Sequence, residues 1–144
     1  MARDNYNKTV EIIENEGNMI AIIILNSFYK PGISFFSPNN FILQVGSLCH
    51  PKGHKIKPHV HNDLQRITNG TQEVLIIKKG LIKIDLFSLK HKYLCSRELS
   101  SGDIILLASG GHAITVLEPT SIMEVKNGPY DPNSDKARII ESEV

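Results

Sequence analysis

Apolar residues along this chain form short runs, many of which alternate with polar residues, and turn-forming residues separate the runs. A period of two is typical of half-buried strands, and no stretch sustains a helical repeat. The pattern therefore predicts an all-β domain of antiparallel strands. Two opening strands, at 10–14 and 19–25, flank a turn at 15–18 whose Asn and Gly residues tolerate positive φ. A helix over 10–16 is the alternative.

The middle of the chain is expected to form a loop at 28–40, broken by prolines, that still anchors Phe35 and Phe36 in apolar surroundings. Further strands are predicted at 41–49, 55–61, 72–79, 81–87, 93–99, 103–107, 112–117 and 121–126. This number of strands suits a small antiparallel sandwich or barrel, in which closure protects the strand edges. The tail at 127–144 is polar and rich in turn residues, so a loop is expected there, with a short return strand or a frayed end after it.

Length and charge narrow the class of protein. A chain of 144 residues is expected to form a single domain over 1–144, with N-terminal strands at 9–49. The net charge of +1 gives no general attraction for nucleic acid or an anionic membrane. The apolar run Met19 to Leu25 is far shorter than the roughly 20 residues of a membrane-spanning helix. With only Cys49 and Cys95 present, we expect a cytoplasmic protein with two reduced, buried thiols.

Four side chains form the most informative candidate site. His59 and His61 stand two apart in a strand-like segment, so both rings are expected on one face. Glu73 begins the next apolar strand and His112 begins a later one. Antiparallel packing of these strands would offer three imidazoles and one carboxylate to a divalent ion, a donor set that suits Fe, Mn, Ni, Co or Zn. The alternative is that all four are ordinary surface residues, as we expect for His50, His54 and His91.

These residues occur in a pattern that resembles the cupin superfamily. The resemblance covers 53–117 and rests on two motifs, Gly53-x5-His59-x-His61 with Glu73-x6-Gly80, and Gly102-Asp103 with His112. It implies a small jelly-roll barrel that binds one divalent metal through His59, His61, Glu73 and His112. It also implies a homodimer, formed through sheet edges or exchanged N-terminal strands; the segment Met19 to Leu25 would serve this or form a core strand.

The chain departs from the cupin pattern at two points. Eleven residues separate His61 from Glu73, where the family has three or four, so an extended hairpin is required there and Gln65 is the alternative ligand at the ordinary spacing. The sequence before His112 also lacks the proline of the second motif.

The same alternation predicts what surrounds the site. If Glu73 faces inward, Leu75 and Ile77 follow it, and Ile114 and Val116 follow His112. Glu124 and Lys126 share a face of their strand; we interpret them as a solvated charge pair, with a place at the cavity mouth as the alternative. Arg66 is interpreted as a surface residue, with contact to an anionic substrate as the alternative.

The function expected from these features is metal-dependent chemistry on a small polar molecule of the sugar or oxo-acid type. The metal would act as a Lewis acid or activate dioxygen, so an isomerase, an epimerase or a dioxygenase is possible. One alternative is a non-catalytic binding protein for small molecules. The other is a metal-free isomerase or epimerase in which a His acts as acid and base.

Overall fold

The computed structural model describes residues 9–139, and within that range it is all-β, with ten strands and no helix. Every paired strand is antiparallel, which confirms the predicted class. The strands are β1 (Val10–Asn15), β2 (Asn18–Ile24), β3 (Gly32–Phe35), β4 (Gly46–Cys49), β5 (Glu73–Lys79), β6 (Leu81–Phe87), β7 (Tyr93–Ser100), β8 (Ile104–Leu107), β9 (Gly111–Val116) and β10 (Ser121–Lys126). The described part of the chain has no helix that could cross a membrane.

The predicted opening hairpin is confirmed, and the alternative helix over 10–16 is wrong. Strands β1 and β2 pair from Val10 opposite Ile24 to Asn15 opposite Asn18. The two residues between them, Glu16 and Gly17, have φ of 49° and 77°. Two consecutive left-handed residues are what a tight two-residue hairpin turn requires, because this backbone twist matches the twist of the strands.

Three sheets make up the fold. A five-stranded sheet has the order β1-β2-β8-β5-β10, a three-stranded sheet has the order β7-β6-β9, and β3 pairs only with β4. The five- and three-stranded sheets face each other as a sandwich. Among the described residues no hydrogen-bonded ladder joins β9 to β10, so the sandwich is open and no closed barrel forms.

The central strands of the five-stranded sheet are buried on both of their faces. One face packs on the three-stranded sheet, where Ile84, Leu75 and Ile105 belong to a single apolar cluster. The other face, represented by Ile22 and Leu106, is covered by aromatic and aliphatic residues that lie between 28 and 45. Burial on both faces explains why β2 is continuously apolar, since neither side meets water. The run that begins at Met19 therefore forms a core strand in this structure, and the homodimer stays a prediction.

Several strand predictions before β5 are wrong. The expected strand at 55–61 is absent, and residues 50–71 have no regular structure and are exposed throughout. Two prolines remove backbone donors there, and alternation without a partner strand does not make a sheet. The expected strand at 41–49 is reduced to β4, whose partner β3 lies inside the predicted loop. Phe36 packs against the core as expected, whereas Phe35 is 65% exposed.

The turn before β8 has a structural role in the sandwich. Asp103 is buried, and its carboxylate accepts backbone N–H bonds from Asn26 and from Ser100, both at 2.8 Å. It thereby ties the end of β7 to the segment that follows β2. Gly102 precedes it with φ of 90°, and a Cβ at that position would overlap the Asn26 side chain. The Gly-Asp pair of the second cupin-like motif is thus explained by the geometry of this turn.

Candidate functional site

A cavity of about 610 Å³ opens between the two facing sheets at one end of the sandwich. The start of β5, the end of β8, the end of β6 and the start of β9 meet there, because Glu73 pairs with Leu107 and Leu86 pairs with His112. Residues 135–139 of the tail form much of the remaining wall, and His91, an exposed residue as expected, also lines the cavity. The cavity therefore combines the interior ends of four strands with one irregular segment.

Glu73 and His112 face each other across this cavity. The Nε2 atom of His112 lies 3.5 Å from an Oε atom of Glu73, and their side chains are 32% and 10% exposed. Glu73 follows the inward alternation of Leu75 and Ile77, as predicted. The matching prediction for the strand of His112 is wrong, because Ile114 and Val116 are exposed. Two ionisable groups from distant parts of the chain thus meet at a partly dehydrated place, which is the usual setting for functional groups.

Lys126 connects this pair to the tail. Its Nζ atom lies 2.8 Å from a carboxylate oxygen of Asp135 and 3.9 Å from one of Glu73, and its side chain is only 14% exposed. Strand pairing explains the position, since Lys126 stands opposite Glu73 in the ladder between β10 and β5. The predicted solvated pair is therefore wrong for Lys126, which belongs to the site; Glu124, on the same face, is exposed.

Burial acts on the two central groups in opposite directions. It raises the pKa of Glu73, and the nearby carboxylate of Glu124 raises it further, while Lys126 lowers it. Burial also lowers the pKa of His112, and the positive charge of Lys136 adds to this effect, while Glu124 opposes it. Desolvation penalises the charged form of each group. The environment therefore favours a neutral imidazole and a protonated carboxyl more than water does.

The four predicted metal ligands fall into two pairs. Glu73 and His112 come together in the cavity, whereas His59 and His61 lie in the exposed segment 50–71. Their rings are 5.3 Å apart, and Nδ1 of His59 lies 2.9 Å from the Lys57 carbonyl oxygen.

No group of three or more His, Cys, Asp or Glu side chains within 9–139 is placed to hold a metal ion. A resident metal normally has at least three protein ligands, and this arrangement brings two of the four predicted ones together. Metal binding by the four residues stays a prediction. The alternative ligand Gln65 and the residue Arg66 lie in the same exposed segment.

Sequence reasoning gave no role to the charged residues of the tail. Asp135, Lys136 and Arg138 all line the cavity, although they follow a segment that has only turns and bends. The one signal available was the clustering of these charges close to each other. Spacing along a loop does not reveal which end of a sandwich the loop will cross, so the sequence could not place these charged residues at the cavity.

Comparisons with known proteins give no relative from which a function could be proposed. No family model matches the chain, and no curated protein or solved structure matches it either.

Proposed function

We propose that the chain is a cupin-like protein that holds a small polar molecule in this cavity and moves a proton on it with His112 and Glu73. The observation that carries the proposal is the 3.5 Å approach of His112 Nε2 to Glu73 inside the cavity. A cavity of about 610 Å³ has the size of ordinary small-molecule sites, which range over roughly 300–1,000 Å³. Of the expected functions, the metal-free isomerase or epimerase fits this geometry best.

The two groups have complementary tasks in such a reaction. A neutral His112 takes a proton from the carbon next to a ligand carbonyl and becomes an imidazolium. A protonated Glu73 gives its proton to the carbonyl oxygen, so that an enol forms and the carboxylate is left ionised. On a ligand with a hydroxyl on that carbon, His112 then gives its proton to the former carbonyl carbon, and the ionised Glu73 takes the proton of the neighbouring hydroxyl. The carbonyl has moved by one carbon, and both side chains are back in their starting states, which completes an isomerisation. The lowered pKa of His112 and the raised pKa of Glu73 favour these starting states.

Metal-dependent chemistry is the second candidate, in a jelly roll that the segment 50–71 would complete. The distance of 3.5 Å between His112 Nε2 and the Glu73 carboxylate also favours this function. Two ligand atoms of one ion commonly lie about 3 to 3.5 Å apart when each bond to the ion is about 2.1 Å. His59 and His61 would have to reach the cavity to supply the remaining ligands. A binding protein without turnover would use the same cavity.

Turnover and metal content together separate these candidates. The protein would be purified without an affinity-tag metal, analysed for metals, and tested on sugars and oxo-acids before and after chelation. Turnover that survives chelation and is lost in His112→Asn supports proton transfer by the pair. Stoichiometric metal that disappears in both His59→Ala and His112→Ala, together with activity that chelation abolishes, supports the metal-dependent function and contradicts the first. Ligand binding without any turnover indicates the binding protein.

A further inference from the structure

The tail that closes the cavity has a defined shape. The carboxylate of Asp131 accepts hydrogen bonds from the backbone N–H of Asn133 at 2.9 Å and from the hydroxyl of Ser134 at 2.6 Å. The backbone N–H of Asp135 donates to the Asp131 carbonyl at 3.0 Å. Side-chain to backbone bonds of this kind fix a turn without regular secondary structure. The chain therefore leaves the turn in a set direction, towards the cavity.

Two contacts hold this turn against the sandwich. Lys126 pairs with Asp135, and its Nζ atom also lies 4.5 Å from the centre of the Tyr130 ring, a cation–π contact. Further along, the tip of Ile139 reaches so close to Gly111 that a Cβ there would overlap it. Residues 136–138 thus lie between an ion pair at one end and an apolar contact at the other.

Lys136 and Arg138, in this fixed stretch, are the cations of the cavity wall without an acidic partner. Lys126 pairs with Glu73 and Asp135, but neither Lys136 nor Arg138 forms an ion pair with any residue of 9–139. Lys136 also stands close enough to lower the pKa of both His112 and Glu73 through its charge. The side chains of Lys136 and Arg138 are both exposed, and the Nζ atom of Lys136 also lies 5.8 Å from the centre of the Tyr130 ring. Two positive charges without an acidic partner, beside a partly buried pair of ionisable groups, attract an anion.

Resting on the proposed function, we propose that the ligand is an anionic small molecule whose carboxylate or phosphate is bound by Lys136 and Arg138, while its neutral part faces His112 and Glu73. The tail then supplies the recognition half of the site and the strands supply the reactive half. Arginine binds either anion through two parallel hydrogen bonds, and lysine adds a point charge. The same chemistry covers sugar acids, sugar phosphates and small oxo-acids.

Three sugars that share the same ring separate the effect of ligand charge on binding from the effect of ligand shape. Glucose, glucuronate and glucose 6-phosphate would be titrated into the intact protein at low ionic strength, with calorimetry for affinity and NMR of the histidine rings for location. We expect both anionic sugars to bind at least about tenfold more tightly than glucose, and both to shift the His112 signal. Added salt should weaken only the anionic probes, because the Debye length falls to about 8 Å at 0.15 M. A preference between glucuronate and glucose 6-phosphate would identify the anion.

Substitutions test whether Lys136 and Arg138 bind the anion. Lys136→Met with Arg138→Met should bring the anionic probes to the affinity of glucose, whereas Lys52→Met with Lys78→Met, which removes the same charge from exposed positions outside the cavity wall, should change little. Equal binding of all three sugars, no binding of the anionic ones, or unchanged binding in the tail variant would overturn the proposal. If the tail variant loses anion binding while the His112→Asn and Glu73→Gln variants keep full turnover, the anion site stands and the proposed function fails.

Discussion

His112 and Glu73 show how much of a site can be predicted from residue types alone. The sequence predicts that they meet because each begins an apolar strand that antiparallel packing would bring together, and because both match the cupin-like motifs. The structure brings this pair together. Local alternation could not show that Lys126 joins them, because its position depends on which strand pairs with β5.

The clearest test at this pair is the loss of proton transfer. On any substrate found in the sugar and oxo-acid panel, His112→Asn and Glu73→Gln should each lower kcat about 10²–10⁴-fold, since each removes one proton-transfer group. KM should change much less if the proposed anion site in the tail still holds the ligand. His54→Asn is the matched control, since His54 is exposed and stacks only on the ring of His50. Variants of the pair with wild-type kcat would refute the assigned roles.

The turn that follows β7 makes a separate prediction. Asp103→Ala leaves the N–H groups of Asn26 and Ser100 without their acceptor in a buried turn. The unfolding free energy, measured by urea denaturation, should fall by about 2 to 3 kcal/mol. Asp85→Ala is a useful comparison, because Asp85 bonds only to side chains of neighbouring residues. An equal loss of unfolding free energy in both variants would mean that the backbone N–H bonds to Asp103 stabilise the fold no more than the side-chain bonds of Asp85 do.

The tail makes another prediction. Asp135→Asn removes the ion pair with Lys126 while keeping the size of the side chain. Trypsin cleavage after Lys136 and Arg138 should become roughly several-fold faster, because a less stable segment opens more often. Glu16→Gln, which breaks the exposed pair between Lys90 and Glu16, should leave these cleavage rates unaltered. Unchanged cleavage in Asp135→Asn would show that the ion pair does not hold the tail.

Across the whole molecule, the strands from β5 to β10 agree well with the predicted ones, although most of them pair with strands that are distant in sequence. The bounds of β6 and β10 match the expected ones, and β5, β7, β8 and β9 differ by a residue at either end. The segment 50–71 was not predicted, because its few apolar residues are spaced like a strand but have no partner there. Tertiary pairing overrides a local pattern in such cases. For the same reason the open edges of the sandwich and the course of the tail could not be read from spacing.

The pair also shapes how the stability of the whole fold depends on pH. The folded pKa of His112 is lowered, so its contribution is complete above its ordinary value of 6.5 and is lost as the pH falls through the folded value. That of Glu73 is raised from 4.5, so its contribution is present below 4.5 and is lost as the pH rises through the folded value.

Urea midpoints measured from pH 4 to pH 8 give the check. His112→Asn should lose less stability than the wild type as the pH falls below 6.5. Glu73→Gln should be more resistant to urea than the wild type at pH 8 and differ less from it at pH 4. Parallel curves for all three proteins would contradict both pKa directions.

The most direct test of the central pair is an NMR pH titration of the His112 ring, identified by its absence in His112→Asn. In the wild type the ring should titrate below 6.5. In Glu73→Gln it should keep this lowered pKa, since a protonated carboxyl and an amide are both neutral and burial is the largest cause of the shift. A His112 ring that titrates at or above 6.5, or whose pKa falls clearly in Glu73→Gln, would contradict the proposed pair of a neutral imidazole and a protonated carboxyl.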